Sequence, residues 1–189
     1  MRQAQVLSDK DKQRILSFVA KHSHQQRNRA MLLLSWLAGM RVGEIAALRF
    51  EDVVDASGEV RNQIQLSAKQ TKGNEARTVL ISTQLKQELT NYTNTYKTTP
   101  NPKLPLIASK SGKAFSANGL CQRFIKLYVA AGVDKATSHS GRRTFITNLA
   151  NKGVNVRVLA ELAGHKHIST TQRYIELNEE VLKAAVELA

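Results

Sequence analysis

Ser138-His139-Ser140-Gly141-Arg142-Arg143, followed by Leu162-Ala163-Gly164-His165 and then by Ser169-Thr170-Thr171-Gln172-Arg173-Tyr174, is the stretch on which the reading of this chain turns. It sets an Arg, two His and a Tyr among a few short predicted helices. Thr137-Ser138 read as the start of one helix, so His139 and Arg142, three residues apart, face the same way at its N-terminus. Such an end attracts phosphate through its free N–H groups and its dipole. Phe145, Ile146 and Leu149 are predicted to pack the opposite face, and Gly153 to end the helix. Asn155 opens the next helix, with Val158, Leu159 and Leu162 expected inward. Gly164 is its predicted C-cap, which delivers His165 directly out of the turn. Ser169-Thr170-Thr171 can cap a last short helix that carries Tyr174.

These side chains suit a phosphate better than a metal. His139, His165 and His167 could act as ligands, but two arginines beside His139 would repel a cation. Cys121 stands in no metal motif, and there is no His-Glu-x-x-His. Neither a Gly-x-Ser-x-Gly elbow nor a Gly-x-x-x-x-Gly-Lys loop occurs, so a hydrolytic triad and ATP use are unsupported. No metal and no cofactor is expected. A guanidinium, by contrast, binds two non-bridging phosphate oxygens at once and stays charged. Histidines donate hydrogen bonds or move protons near neutral pH. A tyrosine hydroxyl, with a free pKa of about 10, needs a cationic site to gain phenolate character.

The rest of the chain agrees with an anionic partner. In 189 residues there are 28 Lys+Arg against 15 Asp+Glu, a net charge of +13. That exceeds the charge of about 2–8 that suffices for solubility in a small domain, and it favours DNA, RNA or an anionic membrane. A hydrophobic content of 42% is enough for one core. The lone Cys121 excludes an internal disulfide and fits a reducing compartment. The N-terminus has no apolar signal core. The longest apolar patch, Ala30 to Met40, is too short for the roughly 20 residues of a membrane span. A soluble cytoplasmic protein with no membrane partner is expected.

Working outward, Ser8-Asp9-Lys10-Asp11 resembles a capping box ahead of an amphipathic helix with Ile15, Leu16, Phe18 and Val19. His22 and His24 fall in a polar link. Gln26 to Leu37 is predicted to be a buried central helix. Gly39-Met40-Arg41-Val42-Gly43 interrupts it, the glycine pair permitting a sharp turn before a short helix from Glu44 to Leu48. Arg41 at that junction either forms a structural ion pair with Glu44 or Asp52, or reaches a ligand. Gln63 to Ala68 and Thr78 to Ile81 read as the strands of a hairpin turning at Gly73-Asn74, with Lys69, Lys72 and Arg77 near its tip. Ser82-Thr83 cap a helix with Leu85, Leu89, Tyr92 and Tyr96 as packing residues. Pro100, Pro102 and Pro105 mark the clearest loop. Ser116 caps a helix with Leu120, Phe124, Leu127 and Tyr128 inward. Asn178 to Ala189 is predicted to be an amphipathic helix that folds back or docks on a neighbouring protomer.

Leu37-Ala38-Gly39-Met40-Arg41-Val42-Gly43-Glu44-Ile45, the Lys72-Gly73-Asn74 hairpin, His139-Ser140-Gly141-Arg142, Leu162-Ala163-Gly164-His165 and the segment to Tyr174, taken in that order, resemble the tyrosine recombinase (phage integrase) catalytic domain over about residues 5 to 180. The resemblance implies a mainly α fold with a small antiparallel β-hairpin (α+β). A single catalytic domain over 1–189 is expected; the N-terminal DNA-clamping domain usual in the family is not expected in it, which is a departure from the family pattern. It implies a site-specific recombinase of the integrase or invertase type that cuts and rejoins DNA through a 3′-phosphotyrosyl intermediate. Arg41 and Arg142 would clamp the phosphate, His139 would assist proton transfer, and His165 would hydrogen-bond the phosphate. Lys72, with Lys69 as rival, would protonate the leaving 5′ oxygen, and Tyr174 would attack. The implied partners are double-stranded DNA, further copies in a tetramer, and an accessory DNA-binding protein, in the nucleoid. A type IB topoisomerase-like relaxing enzyme and a non-catalytic DNA-binding regulator are the alternatives. Two positions depart from the family pattern: Arg143 stands where His is frequent, and Gly141 where Leu is frequent.

Overall fold

The computed structural model describes residues 4–71, 73–96, 100–174 and 186–187. Its elements run α1 (Asp9–Ala20), α2 (Gln25–Ala38), α3 (Val42–Ala47), α4 (Phe50–Val53), β1 (Gln63–Leu66), β2 (Arg77–Leu80), α5 (Thr83–Thr93), α6 (Ala117–Ala130), α7 (Ser140–Asn151), α8 (Val156–Ala163) and α9 (Ile168–Gln172). The mainly helical fold with one two-stranded antiparallel sheet is as expected. Lys72 lies outside the described residues, as does the expected 178–189 helix apart from Val186 and Glu187.

α2 is the axis of the molecule. Met31, Leu32 and Leu34 are fully buried, and Ser35 and Asn28 with them, so the helix has almost no solvent face. α1, α5 and α7 pack around it, while α6 covers α1 and α3. Most of the buried apolar side chains form one cluster, from Leu7 to Ala136. α1 starts at the predicted capping box: Asp11 N–H donates to Ser8 Oγ at 3.1 Å, and Ser8 N–H to Asp11 Oδ2 at 3.0 Å. Ser82, Ser116 and Asn155 cap α5, α6 and α8 through their side-chain oxygens. The proline segment is tied in by Phe50 N–H to Leu104 O and Leu106 N–H to Leu48 O. Among the described residues no helix is long and apolar enough to cross a membrane.

Several local expectations change. The first strand stops at Leu66 because Gln70 Oε1 accepts from Ser67 N–H and Oγ, closing a 3₁₀ turn over Ala68–Gln70. Arg77 is no tip charge. It pairs with Leu66 in the ladder, so its side chain shares that residue's inward face. Only Gly39 of the glycine pair makes the turn, with φ +60, whereas Gly43 lies within α3. Val158 is 49% exposed, and Ala160 and Ala163 join Leu159 in the interior instead. With an eight-residue helix, the side chains nearest the core are the small ones that let α8 lie close to its neighbours. Ser169–Thr171 do not cap α9 but lie in it; His167 holds the cap position, and Tyr174 follows the last turn. Tyr96 lies past the end of α5, where its ring packs edge-on against Phe50.

Candidate functional site

Two close helix contacts place the two arginines of the site. Gly39 ends α2 in the left-handed region, and a Cβ there would meet Phe145 Cδ1 of α7 at 2.5 Å. Gly141 in the first turn of α7 lies on the Trp36 indole, and a Cβ would stand 2.6 Å from Ser35 Oγ. This contact explains the glycine at 141: α7 can approach α2 this closely only without a side chain there. The approach brings Arg142, in the first turn of α7, against the end of α2, where its Nη1 donates to Gly39 O. Arg41 starts α3 immediately beyond.

The C-terminus of α8 gathers the cations. Gly164 takes φ +61, and His165 N–H returns to Ala160 O at 2.9 Å, a Schellman-type ending that leaves the last carbonyls pointing out of the helix. Three successive carbonyls are then met by three arginines. Leu162 O accepts from Arg77 Nη1 at 3.2 Å, Ala163 O from Arg142 Nη2, and Gly164 O from Arg41 Nη2 at 2.7 Å. Orphan carbonyls and the negative end of the helix dipole favour this arrangement. Gly164 is required twice over, because a Cβ would also stand 2.6 Å from Arg77 Cδ.

Glu44 holds the cluster from beneath. Its side chain is 1% exposed. Oε1 accepts from Arg41 Nη1 at 2.9 Å and Arg77 Nε at 3.1 Å; Oε2 accepts from the Arg41 backbone N–H at 2.8 Å and Arg77 Nη2 at 2.7 Å. All four lone-pair positions of the carboxylate are thereby used. Burial pushes the carboxyl upward, but the hydrogen bonds and charge of Arg77, with Arg41, hold it below the usual range, so it stays ionised. Asp52, the other candidate partner of Arg41, is engaged with Arg49 N–H and Gln70 Nε2 instead.

Arg142 is 5% exposed. Burial, and then the charge of Arg41, push it down to about 9, so it remains protonated at neutral pH. His165 is half-buried and pushed down to about 4 by burial and then by Arg142, Arg41 and Arg77. It is therefore a neutral imidazole. Its Nδ1 lies 2.9 Å from the buried Thr171 Oγ1, which fixes the ring and leaves Nε2 as the outer nitrogen. Its face is stacked on Tyr174, centroids 5.8 Å apart and planes inclined by 22°. The Arg143 guanidinium lies 5.6 Å from the centre of the same tyrosine ring. A Tyr174 phenolate would in turn favour the protonated form of Arg142.

Of the predicted site residues, Arg41, Arg142, His165 and Tyr174 are brought together. His139 is exposed at the cap of α7, with its N–H on Thr137 Oγ1 at 3.3 Å, one position ahead of the helix rather than inside its first turn. The sequence suggests Glu44 as an ion-pair partner of Arg41 and Arg77 as a charge near the hairpin tip, not as two members of one cluster. The alternation of Arg77 with the buried Val79 was the available sign that Arg77 faces inward. Thr171 and Arg143 had no such sign, since their roles depend on where Tyr174 and His165 fall in space. Among the described residues, no group of three or more His, Cys, Asp or Glu is placed to hold a metal ion.

The chain is similar to known proteins over nearly its whole length. Residues 5–180 match the model of the phage integrase family. The chain is 30% identical over 183 residues to the tyrosine recombinase XerA of Pyrococcus furiosus, covering 97% of this chain and 61% of that protein. Among solved structures, a crystal structure of XerA recombinase superposes with a TM-score of 0.75 at 23% identity, over 100% of this chain and 64% of that one. XerH site-specific recombinase bound to a palindromic difH substrate, a post-cleavage complex, gives a TM-score of 0.70 at 21% identity, over 98% and 53% of the two chains. The chain spans between 52% and 61% of the length of the curated relatives it matches. The order of its motifs, its fold and the match over nearly its whole length make this chain a member of the phage integrase family.

Proposed function

We propose that this chain is the catalytic part of a site-specific DNA recombinase, cutting and rejoining DNA through a 3′-phosphotyrosyl intermediate. One observation carries the reading: two arginine side chains, Arg41 and Arg142, meet on the α8 C-terminus beside a neutral His165 whose ring lies face to face with Tyr174. In this reading Arg41 and Arg142 hold the non-bridging oxygens of the scissile phosphate. Tyr174 Oη attacks phosphorus, forming one P–O bond as the bond to the 5′ oxygen breaks. The tyrosine proton leaves by way of His139, and the leaving 5′ oxygen takes a proton from Lys72, or from Lys69. His165 stays neutral and donates from Nε2 to the phosphate. Attack by a 5′-hydroxyl of another strand reverses the step, so bond energy is kept without ATP. The arginines stabilise the charge that develops on phosphorus, the largest contribution expected of such a site.

Double-stranded DNA as partner accords with the net charge of +13, and binding to it would keep the protein with the nucleoid. Each chain supplies one Tyr174, so exchange of both strands of two duplexes requires four chains, a tetramer on DNA. An accessory DNA-binding protein would raise its affinity. The test is a suicide duplex, selected for binding to the full chain from a random pool and nicked at successive positions so that the short 5′-hydroxyl fragment diffuses away. Wild type traps a covalent adduct and Tyr174→Phe traps none. Absence of any adduct with wild type refutes the reading.

A further inference from the structure

We propose that Arg77 is a positioning residue of the same site: acting through Glu44 and the end of α8, it sets the placement of Arg41 and His165 against the phosphate. The inference rests on the recombinase reading above and goes beyond it, because Arg77 touches no substrate in that reading.

Arg77 commits all three of its guanidinium nitrogens to protein, and its side chain is 11% exposed, against 27% for Arg41. Its Nε and Nη2 form a fork on the two oxygens of Glu44, and Nη1 reaches Leu162 O. Glu44 spends its remaining lone pairs on the backbone N–H and Nη1 of Arg41. The orientation of Arg41 is therefore set through a carboxylate that Arg77 orients. On its other side Arg77 Cδ supports Gly164, the residue that precedes His165. The strand thus connects both halves of the site, the α2–α3 junction and the α8–α9 turn, through one planar group. Lysine cannot reproduce this, since an ammonium is a point charge without the fork.

The test uses single-turnover cleavage of the suicide duplex by full-length wild type, Arg77→Lys and Arg77→Met, with duplex affinity measured in parallel. A structural defect lowers the amplitude, that is the folded fraction, and leaves the first-order rate constant of the folded molecules unchanged. A positioning role lowers the rate constant at saturating DNA. The expected slowing is about 10-fold for Arg77→Lys and about 100-fold for Arg77→Met, the range typical of groups that orient a reacting residue. Half-saturation by DNA should stay within about twofold, because the phosphate contacts remain. Arg77→Lys keeps the charge against Glu44 and serves if Arg77→Met fails to fold. A wild-type rate constant in Arg77→Lys, whatever its amplitude, overturns the proposal while leaving the recombinase reading intact. A wild type that forms no adduct removes the reading and the proposal together.

Discussion

Replacing Glu44 by Gln is the sharpest perturbation of this site, because it changes one atom and one charge beneath three arginines. The carboxylate accepts four hydrogen bonds, two from Arg41 and two from Arg77, all between 2.7 and 3.1 Å. Gln presents an oxygen on one side only. Its amide nitrogen must face two donors at the other, and the buried arginines lose their counter-charge. Breaking a buried ion pair by removing one partner costs about 3–5 kcal/mol. For a domain with a total stability of roughly 5–15 kcal/mol, Glu44→Gln should still fold but with little reserve. The assay is urea unfolding at pH 7 followed by far-UV circular dichroism. With a slope of about 2–3 kcal/mol/M for a chain of this size, the midpoint should fall by roughly 1–2.5 M. The loss should also depend on pH. Glu44 is held below the ordinary carboxylate range, so its contribution is present above the unfolded pKa and is lost as pH falls through the folded one. The two proteins should therefore converge in acid. A midpoint lowered by less than about 0.3 M at pH 7, or a difference that does not shrink in acid, would refute the assignment of Glu44 as the ionised anchor of the cluster.

Gly141→Ala should cost about 1–3 kcal/mol by overpacking, since its methyl meets Trp36 and Ser35, and thermal unfolding would show it; an unchanged midpoint would sink the close-approach argument. His165 is neutral in the fold down to about pH 4, whereas the unfolded chain binds its proton near 6.5, so stability should be level above 6.5 and decline as pH falls toward 4. The full shift corresponds to about 3 kcal/mol, which screening of the half-buried ring reduces to about 1–2 kcal/mol. Urea titrations of wild type and His165→Asn across that window should diverge, and parallel curves would show that the ring is not held neutral. Thr171→Val removes the hydroxyl on His165 Nδ1 and should cost about 0.5–1.5 kcal/mol in the same assay, with a change in the imidazole tautomer by nitrogen NMR as the decisive sign.

Elements with strong local signals were legible in the sequence. The Ser8–Asp11 box, the Ser82, Ser116 and Asn155 caps and the Gly164 ending all act within one turn of chain, so their residue types reveal them. The buried α2 was legible because apolar residues surround it. What the sequence hid is what depends on distant chain. Val158 falls on an inward position of an ideal helical pattern, yet α8 is short and packs through Ala160 and Ala163, so Val158 is left outside. Ser67 and Gln70 closed a local turn that competed with the strand. Arg41 and Arg142 were visible as site candidates, but their geometry rests on Glu44, Arg77 and three α8 carbonyls that lie up to 123 residues away. A charged residue in a hairpin looks like a surface residue until its partner is known.

The charge balance of the cluster bears on why such a site would serve phosphoryl chemistry at all. Arg41, Arg77 and Arg142 supply +3 and Glu44 supplies −1, which leaves +2 (3 − 1 = 2) among side chains that touch one another or the same helix end. The C-terminus of α8 offsets about half a unit of that. A phosphodiester in its ground state carries one negative charge, and a pentacoordinate phosphorus approaches two. A residual charge of roughly +1.5 to +2 therefore complements the transition state more closely than the ground state, the condition under which binding energy lowers a barrier rather than only tightening binding. His165 fits the same logic. Protonated, it would add a further positive charge next to three arginines, and that repulsion is among the causes that keep it neutral. It can then donate a hydrogen bond from Nε2 without altering the balance. The carbonyls of Leu162, Ala163 and Gly164 hold the guanidinium groups in place without any ligand, so under the recombinase proposal little reorganisation would be left for the moment of reaction.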